Sequence, residues 1–327
     1  MFLPARWILN PHLQTIWGAV ARRPRQLLTV RERWELSDGD FVDVERLPAP
    51  NASAPLLVVC HGLEGSSQAN YVRGVLDQAS RANMGAVALN FRGCSGEQNR
   101  MARFYHSGET GDLAQVIDRL IGEQRDLALI GFSLGGNVVA KYLGERGDSV
   151  PTRVRAAAVV SVPFDLALCA TTIDGPGLPA LLYRERFLRR LRRKVRAKTP
   201  RFPEIFGALR TEDLRSFRAF DEEVTARLHG FAGAEDYWTK SSAGPLLDRV
   251  RRPLLIIHAE DDPLVPVASL PLDRIRGNPN IELDVVARGG HVGFVSGLPW
   301  RAEYWAERRV VEFLAEKIAS LSGRASG

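Results

Sequence analysis

Hydrophobic and polar positions along this chain change their periodicity near residue 55. Before that point, residues 27–36 and 41–47 alternate in polarity around the turn 37–40, which predicts an antiparallel hairpin. After it, short apolar runs alternate with segments of helical period, which is typical of a mostly parallel sheet with helices on both faces. The predicted strands are 56–60, 85–90, 127–132, 156–162, 254–258 and 282–287, and the predicted helices are 69–83, 112–123, a segment after residue 133, and 301 to about 321.

One long stretch interrupts this alternation. Residues 164–246 contain no long apolar run and carry helix-like, partly basic segments. Because that length is too great for a loop, we expect a helical cap inserted over the carboxyl edge of the sheet, where open α/β sheets bind ligands. Composition shows no break along the chain, so we expect a single domain over residues 1–327, with this cap inserted in it and residues 1–26 as an N-terminal extension.

Composition adds little to this picture. A hydrophobic content of 45% and a charged content of 25% are ordinary for a soluble globular protein. The three cysteines, Cys60, Cys94 and Cys169, lack the spacing of a disulfide framework or a zinc site, which favours a reducing compartment. Proline and polar residues interrupt the apolar N-terminus, so we expect a cytoplasmic protein without a transmembrane segment.

The net charge of +6 is concentrated in one segment. Residues 184–201 carry ten Lys or Arg and one Glu, which leaves the remainder of the chain at −3. Apolar residues recur there near helical spacing, which predicts a basic amphipathic helix. That helix presents either a solvated face or a surface for an anionic membrane or an acidic substrate. Because the positive charge is confined to this segment and no nucleic-acid-binding motif is visible, we expect no nucleic-acid partner.

A G-x-S-x-G motif, residues 131–135, lies between the predicted strand 127–132 and a helix. A serine at such a sharp turn is exposed to substrate, and its flanking glycines let neighbouring elements approach closely. The free N–H groups of the following helix favour negative charge developing near the serine. Ser133 is therefore the predicted nucleophile.

A serine hydroxyl needs a base within hydrogen-bonding distance and an acid that orients the base. His291 lies in the glycine-rich loop 289–294 after the last predicted strand, at the sheet edge that also holds Ser133, and is the predicted base. The acid comes from the adjacent carboxylates after strand 254–258. Asp262 is favoured because it precedes a proline at the start of the loop, and Asp261 is the alternative. The order serine, aspartate, histidine is that of α/β-hydrolases.

The developing oxyanion needs two N–H donors, for which the sequence offers Leu134, directly after the nucleophile, and Leu63 in the loop 61–65. Three neighbouring residues are candidates for the substrate pocket, namely His61, Gly62 and Phe132. For His61, a hydrogen bond that shapes its own loop is favoured over proton transfer. This chemistry requires no metal and no organic cofactor.

Six segments together resemble the YheT-type α/β-hydrolases, also called the AB hydrolase 4 family. They are NPHLQTIW at 10–17, HGLEGSS at 61–67, NFRGCSGE at 90–97, GFSLGGN at 131–137, DDP at 261–263 and GGHVGF at 289–294. The resemblance implies an α/β-hydrolase fold and esterase activity, with Ser133, Asp262 and His291 as the charge-relay triad. It gives no role to the basic segment 184–201.

We therefore expect a serine carboxylic-ester hydrolase that acts through an acyl-serine intermediate on short- to medium-chain acyl esters or lipid-like esters. Two alternatives stay open: an acyltransferase that uses the same triad with an alcohol as acceptor, and a non-catalytic binding protein of the same fold. The second is disfavoured because all three triad positions are occupied by suitable residues. The expected partner is a small acyl ester, with membrane contact through residues 184–201 as a further hypothesis.

Overall fold

The structure is a computed structural model that describes residues 2–324, with side chains described to residue 320. Within that range the chain forms ten strands. They are, in chain order, β1 (Val30–Glu35), β2 (Phe41–Leu47), β3 (Leu56–Cys60), β4 (Gly85–Asn90), β5 (Leu127–Phe132), β6 (Val154–Val160), β7 (Leu254–Ala259), β8 (Ile281–Val286), β9 (Val295–Leu298) and β10 (Arg301–Tyr304).

Strands β1 to β8 form one sheet in the order β1-β2-β4-β3-β5-β6-β7-β8. β2 pairs with β1 and β4 in antiparallel fashion, and the other neighbouring strands of this sheet are parallel. β3, β4, β5 and β7 are buried along their whole length, which is why their sequences are unbroken apolar runs. The sheet confirms the predicted α/β class, including the antiparallel hairpin at one edge.

Two layers of helices cover the sheet. Apolar residues of α3 and α4 pack against one face, and those of α2 and α12 pack against the other. The helices of the described chain are α1 (Pro11–Val20), α2 (Asn70–Arg81), α3 (Gly111–Ile121), α4 (Leu134–Arg146), α5 (Leu166–Ile173), α6 (Leu178–Lys198), α7 (Pro203–Phe206), α8 (Phe217–Phe220), α9 (Arg227–His229), α10 (Ala234–Ser241), α11 (Leu272–Gly277) and α12 (Trp305–Arg324).

The chain between β6 and β7 is helical and contains α5 to α10. These helices, which we call the insert, fall inside the range 164–246 predicted for a cap. Leu188, Leu191 and Val195 of α6 pack in one apolar cluster with aromatic residues of the later helices, such as Phe217 and Trp238. The insert therefore has an apolar core of its own, and its side chains share a pocket wall with Ser133.

The basic segment 184–201 lies mostly in α6, a helix of 21 residues. Its buried positions are chiefly apolar, and arginines occupy much of the remaining surface. Among the described residues, no helix has both the length and the apolar character that crossing a lipid bilayer requires.

The C-terminal helix begins later than the sequence predicts. β10 pairs with β9 in a separate antiparallel sheet, so α12 begins at Trp305 rather than at Arg301. Residues 301–304 alternate between exposed and half-buried positions, as a strand does. Four residues are too few for the sequence pattern to distinguish this strand from the helical periodicity that follows it.

Candidate active site

Ser133 lies in a strained turn between β5 and α4. Its φ of 51° and ψ of −121° are unusual for a residue with a side chain, and its N–H donates to the carbonyl oxygen of Val160 at 2.9 Å. A Cβ atom at Gly135 would lie 2.5 Å from the carbonyl oxygens of Cys60 and His61. Glycine therefore lets α4 pack directly against the end of β3, which fixes the turn that presents Ser133.

The three residues of the predicted triad lie within hydrogen-bonding distance of one another. His291 Nε2 is 3.0 Å from Ser133 Oγ, and His291 Nδ1 is 2.9 Å from Asp262 Oδ2. The other carboxylate oxygen of Asp262 accepts from the N–H groups of Leu264 and Val265 at 2.9 and 3.0 Å. Burial acts to raise the pKa of Asp262, but His291 and these hydrogen bonds outweigh it and hold that pKa below its usual value. The carboxylate is thus ionised at neutral pH and faces the imidazole.

The neighbouring carboxylate, Asp261, has different partners. Its Oδ1 accepts from the N–H groups of Gly289 and Gly290, both at 2.8 Å. Asp261 therefore contacts the backbone of the loop that carries His291, whereas Asp262 contacts the imidazole itself.

Helix α1 supports the same loop from the other side. Thr15 Oγ1 accepts from the N–H of His291 at 2.9 Å, and Gln14 Oε1 accepts from the N–H of Val295 at 2.7 Å. A Cβ atom at Gly290 would lie 2.5 Å from the carbonyl oxygen of Pro11, so the loop can approach the helix only with glycine there. These contacts give a structural role to segment 10–17, which sequence reasoning left without one. No local pattern reveals it, because the partners are more than 270 residues apart.

Two backbone N–H groups at the site are available to a ligand. The N–H groups of Leu63 and Leu134 have no hydrogen-bond partner within the described part of the chain. Leu134 is the first residue of α4, so its N–H has no acceptor inside the helix. Both residues line the same pocket as Ser133. The oxyanion hole that the sequence predicts at these two N–H groups stays a prediction.

Glu64, next to Leu63, is held from two directions. Its N–H donates to the hydroxyl of Tyr105 at 2.7 Å, and that hydroxyl donates to Glu64 Oε1 at 2.9 Å. From α6, Lys194 Nζ donates to Glu64 Oε1 at 2.6 Å and Arg190 Nη1 donates to the Glu64 carbonyl oxygen at 2.9 Å. Two of the cations in the basic segment thus bind the insert to the loop that carries Leu63.

Ser133 and His291 lie where two pockets meet. The inner pocket, of about 120 Å³, extends under the insert, and its walls include the apolar side chains of Leu166, Ile173, Phe187, Leu191 and Phe217. The outer pocket, of about 400 Å³, lies between α1 and α6. An ester held at Ser133 therefore has an apolar chamber on one side and a wider opening on the other.

Of the three pocket residues predicted from the sequence, Gly62 lines the outer pocket, whereas His61 and Phe132 lie behind the pocket walls. His61 is fully buried: Nδ1–H donates to the Gly62 carbonyl oxygen at 2.7 Å and Nε2 accepts from the N–H of Phe91 at 3.2 Å. Burial lowers the pKa of His61 to about 4, so the ring is neutral at neutral pH. Phe132 packs in the core with its ring centroid 4.8 Å from that of Tyr71. The prediction was wrong for these two because both rings point into the protein.

Among the described residues, one group could hold a metal ion: His106, Glu109 and His229 bring ligand atoms within 4.8 Å of one another. Two of the three already have backbone partners. His106 Nδ1 accepts from the N–H of Gly108 at 3.1 Å, and Glu109 Oε1 accepts from that of Gly111 at 3.0 Å. Burial lowers the pKa of both histidines to about 3, so they form a neutral, polar part of the wall of the inner pocket.

Comparison with known proteins agrees with this architecture. Residues 55–298 match the family model described as the alpha/beta hydrolase fold. The chain is 38% identical to YheT of Escherichia coli K12, named as a candidate esterase, over 98% of this chain and 95% of that protein. It is 32% identical to a monoacylglycerol lipase of Saccharomyces cerevisiae, over 76% of this chain and 57% of the yeast protein.

Among solved structures, the esterase Pf2001 of Pyrococcus furiosus is similar with a TM-score of 0.58. The match covers 90% of this chain and 92% of that one at 20% identity. At this level of identity the likeness concerns the fold, in agreement with the eight-stranded sheet described above.

Proposed function

This chain belongs to the α/β-hydrolase family, within its YheT type, and on that basis we propose that it hydrolyses carboxylic esters through an acyl-Ser133 intermediate. It is an esterase- or lipase-type hydrolase, as its relatives are named. The observation that carries the finer proposal is the continuous contact from Ser133 Oγ through the imidazole of His291 to the buried carboxylate of Asp262.

In the acylation step, Ser133 Oγ attacks the ester carbonyl carbon and gives its proton to His291 Nε2. The carbonyl oxygen becomes an oxyanion, which the N–H groups of Leu63 and Leu134 stabilise. His291 then gives the proton to the leaving alcohol as the ester bond breaks, and the acyl group remains on Ser133. The ionised carboxylate of Asp262 stabilises the imidazolium that exists between these two transfers.

In the deacylation step, water takes the place of the alcohol. It gives a proton to His291 Nε2 as its oxygen attacks the acyl carbon, and the imidazolium returns that proton to Ser133 Oγ as the acid leaves. Each residue is regenerated, so the cycle consumes one ester and one water and releases one alcohol and one acid.

The two pockets support a lipid-like ester as the substrate. The apolar walls of the inner pocket suit an acyl chain, and its small volume favours short to medium lengths. The outer pocket is wider and bordered by polar and charged residues such as Arg186 and Glu307, which suits the alcohol part. A relative named monoacylglycerol lipase is consistent with this substrate class. A series of p-nitrophenyl esters of increasing chain length measures the preferred acyl length.

Reaction with a fluorophosphonate probe tests the nucleophile directly. We expect the probe to label the protein and Ser133→Ala to abolish both the labelling and the ester hydrolysis, because the probe reacts with an activated serine. Ser149→Ala, at an exposed serine outside both pockets, is the matched control and should label like the unmodified protein. Labelling that survives in Ser133→Ala would show that another residue is the nucleophile.

A further inference from the structure

The outer pocket opens between two helices that each expose aliphatic side chains. On α1 these are Leu13, Ile16 and Val20, of which Val20 is 74% exposed. On α6 they are Leu178, Leu181 and Leu182, which are 67%, 47% and 61% exposed. We call these six residues and the arginines next to them the entrance face. Exposed aliphatic residues are ordinary when scattered, but these six lie on the two helices that border one opening.

Direct contacts hold the two helices together beside the opening. His12 Nδ1 of α1 is 3.2 Å from the hydroxyl of Tyr183 of α6, and their rings stack with centroids 5.8 Å apart. Ile16 and Tyr183 both line the outer pocket. The two helices that carry the exposed rows therefore both border this opening, with Ile16 on α1 and Tyr183, next to Leu182, on α6.

The cations of α6 divide into two sets. Several bind the protein: Lys194 and Arg190 bind Glu64, Arg192 pairs with Glu185, and Lys198 donates to the carbonyl oxygen of Met101. In contrast, Arg186, Arg189 and Arg193 are exposed and have no hydrogen bond or ion pair within the described part of the chain. Arg186, Arg189 and Arg193 are therefore the cations of α6 that are available to bind another molecule.

The free arginines continue the row of exposed leucines. Leu178, Leu182, Arg186, Arg189 and Arg193 are separated by three or four residues, so they follow one side of α6. Along this side the surface is aliphatic at the N-terminal end and cationic beyond it. A helix with such a surface lies on anionic membranes, with its apolar residues at the boundary between headgroups and acyl chains.

We propose that the entrance face binds the surface of an anionic phospholipid bilayer. Arg186, Arg189 and Arg193 pair with lipid phosphates, and the leucines of α6 enter the headgroup region beside them. The exposed side chains are aliphatic and lie on convex helices beside arginines that have no partner in the described part of the chain, which fits an anionic lipid surface. The binding is independent of ester hydrolysis, whereas delivery of a lipid-like ester to the outer pocket rests on the proposed function.

Sedimentation with lipid vesicles tests the proposal. The full chain should bind vesicles of phosphatidylcholine with phosphatidylserine, bind pure phosphatidylcholine weakly, and dissociate as salt is raised. Each arginine near an anionic surface contributes a factor of about five, so Arg189→Gln with Arg193→Gln should weaken binding roughly 25-fold. The matched control is Arg249→Gln with Arg276→Gln, which removes the same charge from exposed positions outside α6. It should bind nearly as the unmodified protein does.

The aliphatic part of the face has its own test. Leu182→Ser should weaken vesicle binding several-fold even at low salt, because the leucine enters the headgroup region. Leu28→Ser replaces a leucine that is 93% exposed outside the entrance face and should have little effect. Ser133→Ala should bind vesicles normally, so the outcome does not depend on hydrolysis.

Three results would overturn the proposal: no binding of the unmodified protein to anionic vesicles, equal binding by the Arg189/Arg193 variant, or equal losses in the two arginine variants. Retention on immobilised polyglutamate without vesicle binding would assign the face to an acidic protein instead. Thermal unfolding of each variant establishes that it is folded before binding is compared.

Discussion

Asp261 and Asp262 are adjacent in the chain, yet their carboxylates accept hydrogen bonds from different groups. Asp262 accepts from the imidazole of His291, and Asp261 accepts from two N–H groups of the loop that carries this histidine. The sequence predicted Asp262 from its place before Pro263 and left Asp261 as the alternative. Neither choice could include the partners of Asp261, since the loop lies almost thirty residues farther along the chain.

Substitution by asparagine distinguishes the roles of the two aspartates in catalysis. Asp262→Asn should lower kcat by roughly 10³- to 10⁴-fold, because an amide does not stabilise the imidazolium and favours the wrong tautomer. Asp261→Asn keeps an oxygen that accepts from the glycine N–H groups, so it should lower kcat by less than about tenfold. Hydrolysis of a p-nitrophenyl ester measures both. Equal losses in the two variants would contradict the assignment of the acid.

At the scale of whole elements, periodicity predicts the buried strands well. Every strand of the large sheet was expected within about three residues of its observed bounds. Burial along the whole length of β3, β4, β5 and β7 leaves unbroken apolar runs, and alternating polarity marks the β1–β2 hairpin. The β9–β10 hairpin was missed because each strand has only four residues. The role of α1 was also missed, since its contacts with the His291 loop join opposite ends of the chain.

The contact between α1 and the loop predicts a positioning role for Thr15. Thr15→Val keeps the shape of the side chain but removes the oxygen that accepts from the N–H of His291, so kcat should fall roughly 5- to 10-fold with KM little changed. Thr15→Ser restores the hydroxyl and should restore kcat.

The matched control for this prediction is Thr171→Val. Thr171 is an exposed threonine of α5, and its hydroxyl donates a hydrogen bond to the carbonyl oxygen of Ala167, four residues earlier. The hydroxyl of Thr15 donates to the carbonyl oxygen of Pro11 in the same way. This control should keep its kcat. A Thr15→Ser variant as slow as Thr15→Val would mean that the hydroxyl does not position His291.

At the scale of the whole molecule, two buried carboxyl groups link stability to pH. Burial raises the pKa of Asp221 in the insert to about 7 and that of Glu307 in α12 to about 7. Asp221 accepts from Trp238 Nε1 and from Thr225 Oγ1, both at 2.8 Å, and Glu307 is paired with Arg22. For each group the folded state holds a proton that the unfolded chain releases at lower pH.

The sign of the effect follows from these pKa values. Asp221 has an ordinary pKa of 3.8 and a folded pKa of about 7, so its contribution to stability is complete below pH 3.8 and is lost as pH rises towards 7. Within that window each pH unit lowers the free energy of unfolding by about 1.4 kcal/mol per group. Asp221→Asn does not titrate, so its midpoint of thermal unfolding should rise relative to the unmodified protein between pH 4 and 7.

Asp118→Asn, at an exposed aspartate of α3, serves as the control and should follow the unmodified protein across the whole pH range. Thermal unfolding followed by circular dichroism at several pH values measures all three proteins. A constant difference between Asp221→Asn and the unmodified protein would contradict the raised pKa.

The contacts of Glu64 determine which parts of this enzyme have to be exchanged together in a chimera. Hydrogen bonds connect the insert to the loop that carries Leu63, because Lys194 and Arg190 of α6 donate to Glu64. A chimera that took residues 164–246 from another hydrolase would keep the contact between Ser133 and His291. It would leave the buried carboxylate of Glu64 without Lys194 and the Glu64 carbonyl oxygen without Arg190. The transferable module is therefore the insert together with Glu64 and Tyr105, so the insert and the loop that carries Leu63 have to be exchanged as one part.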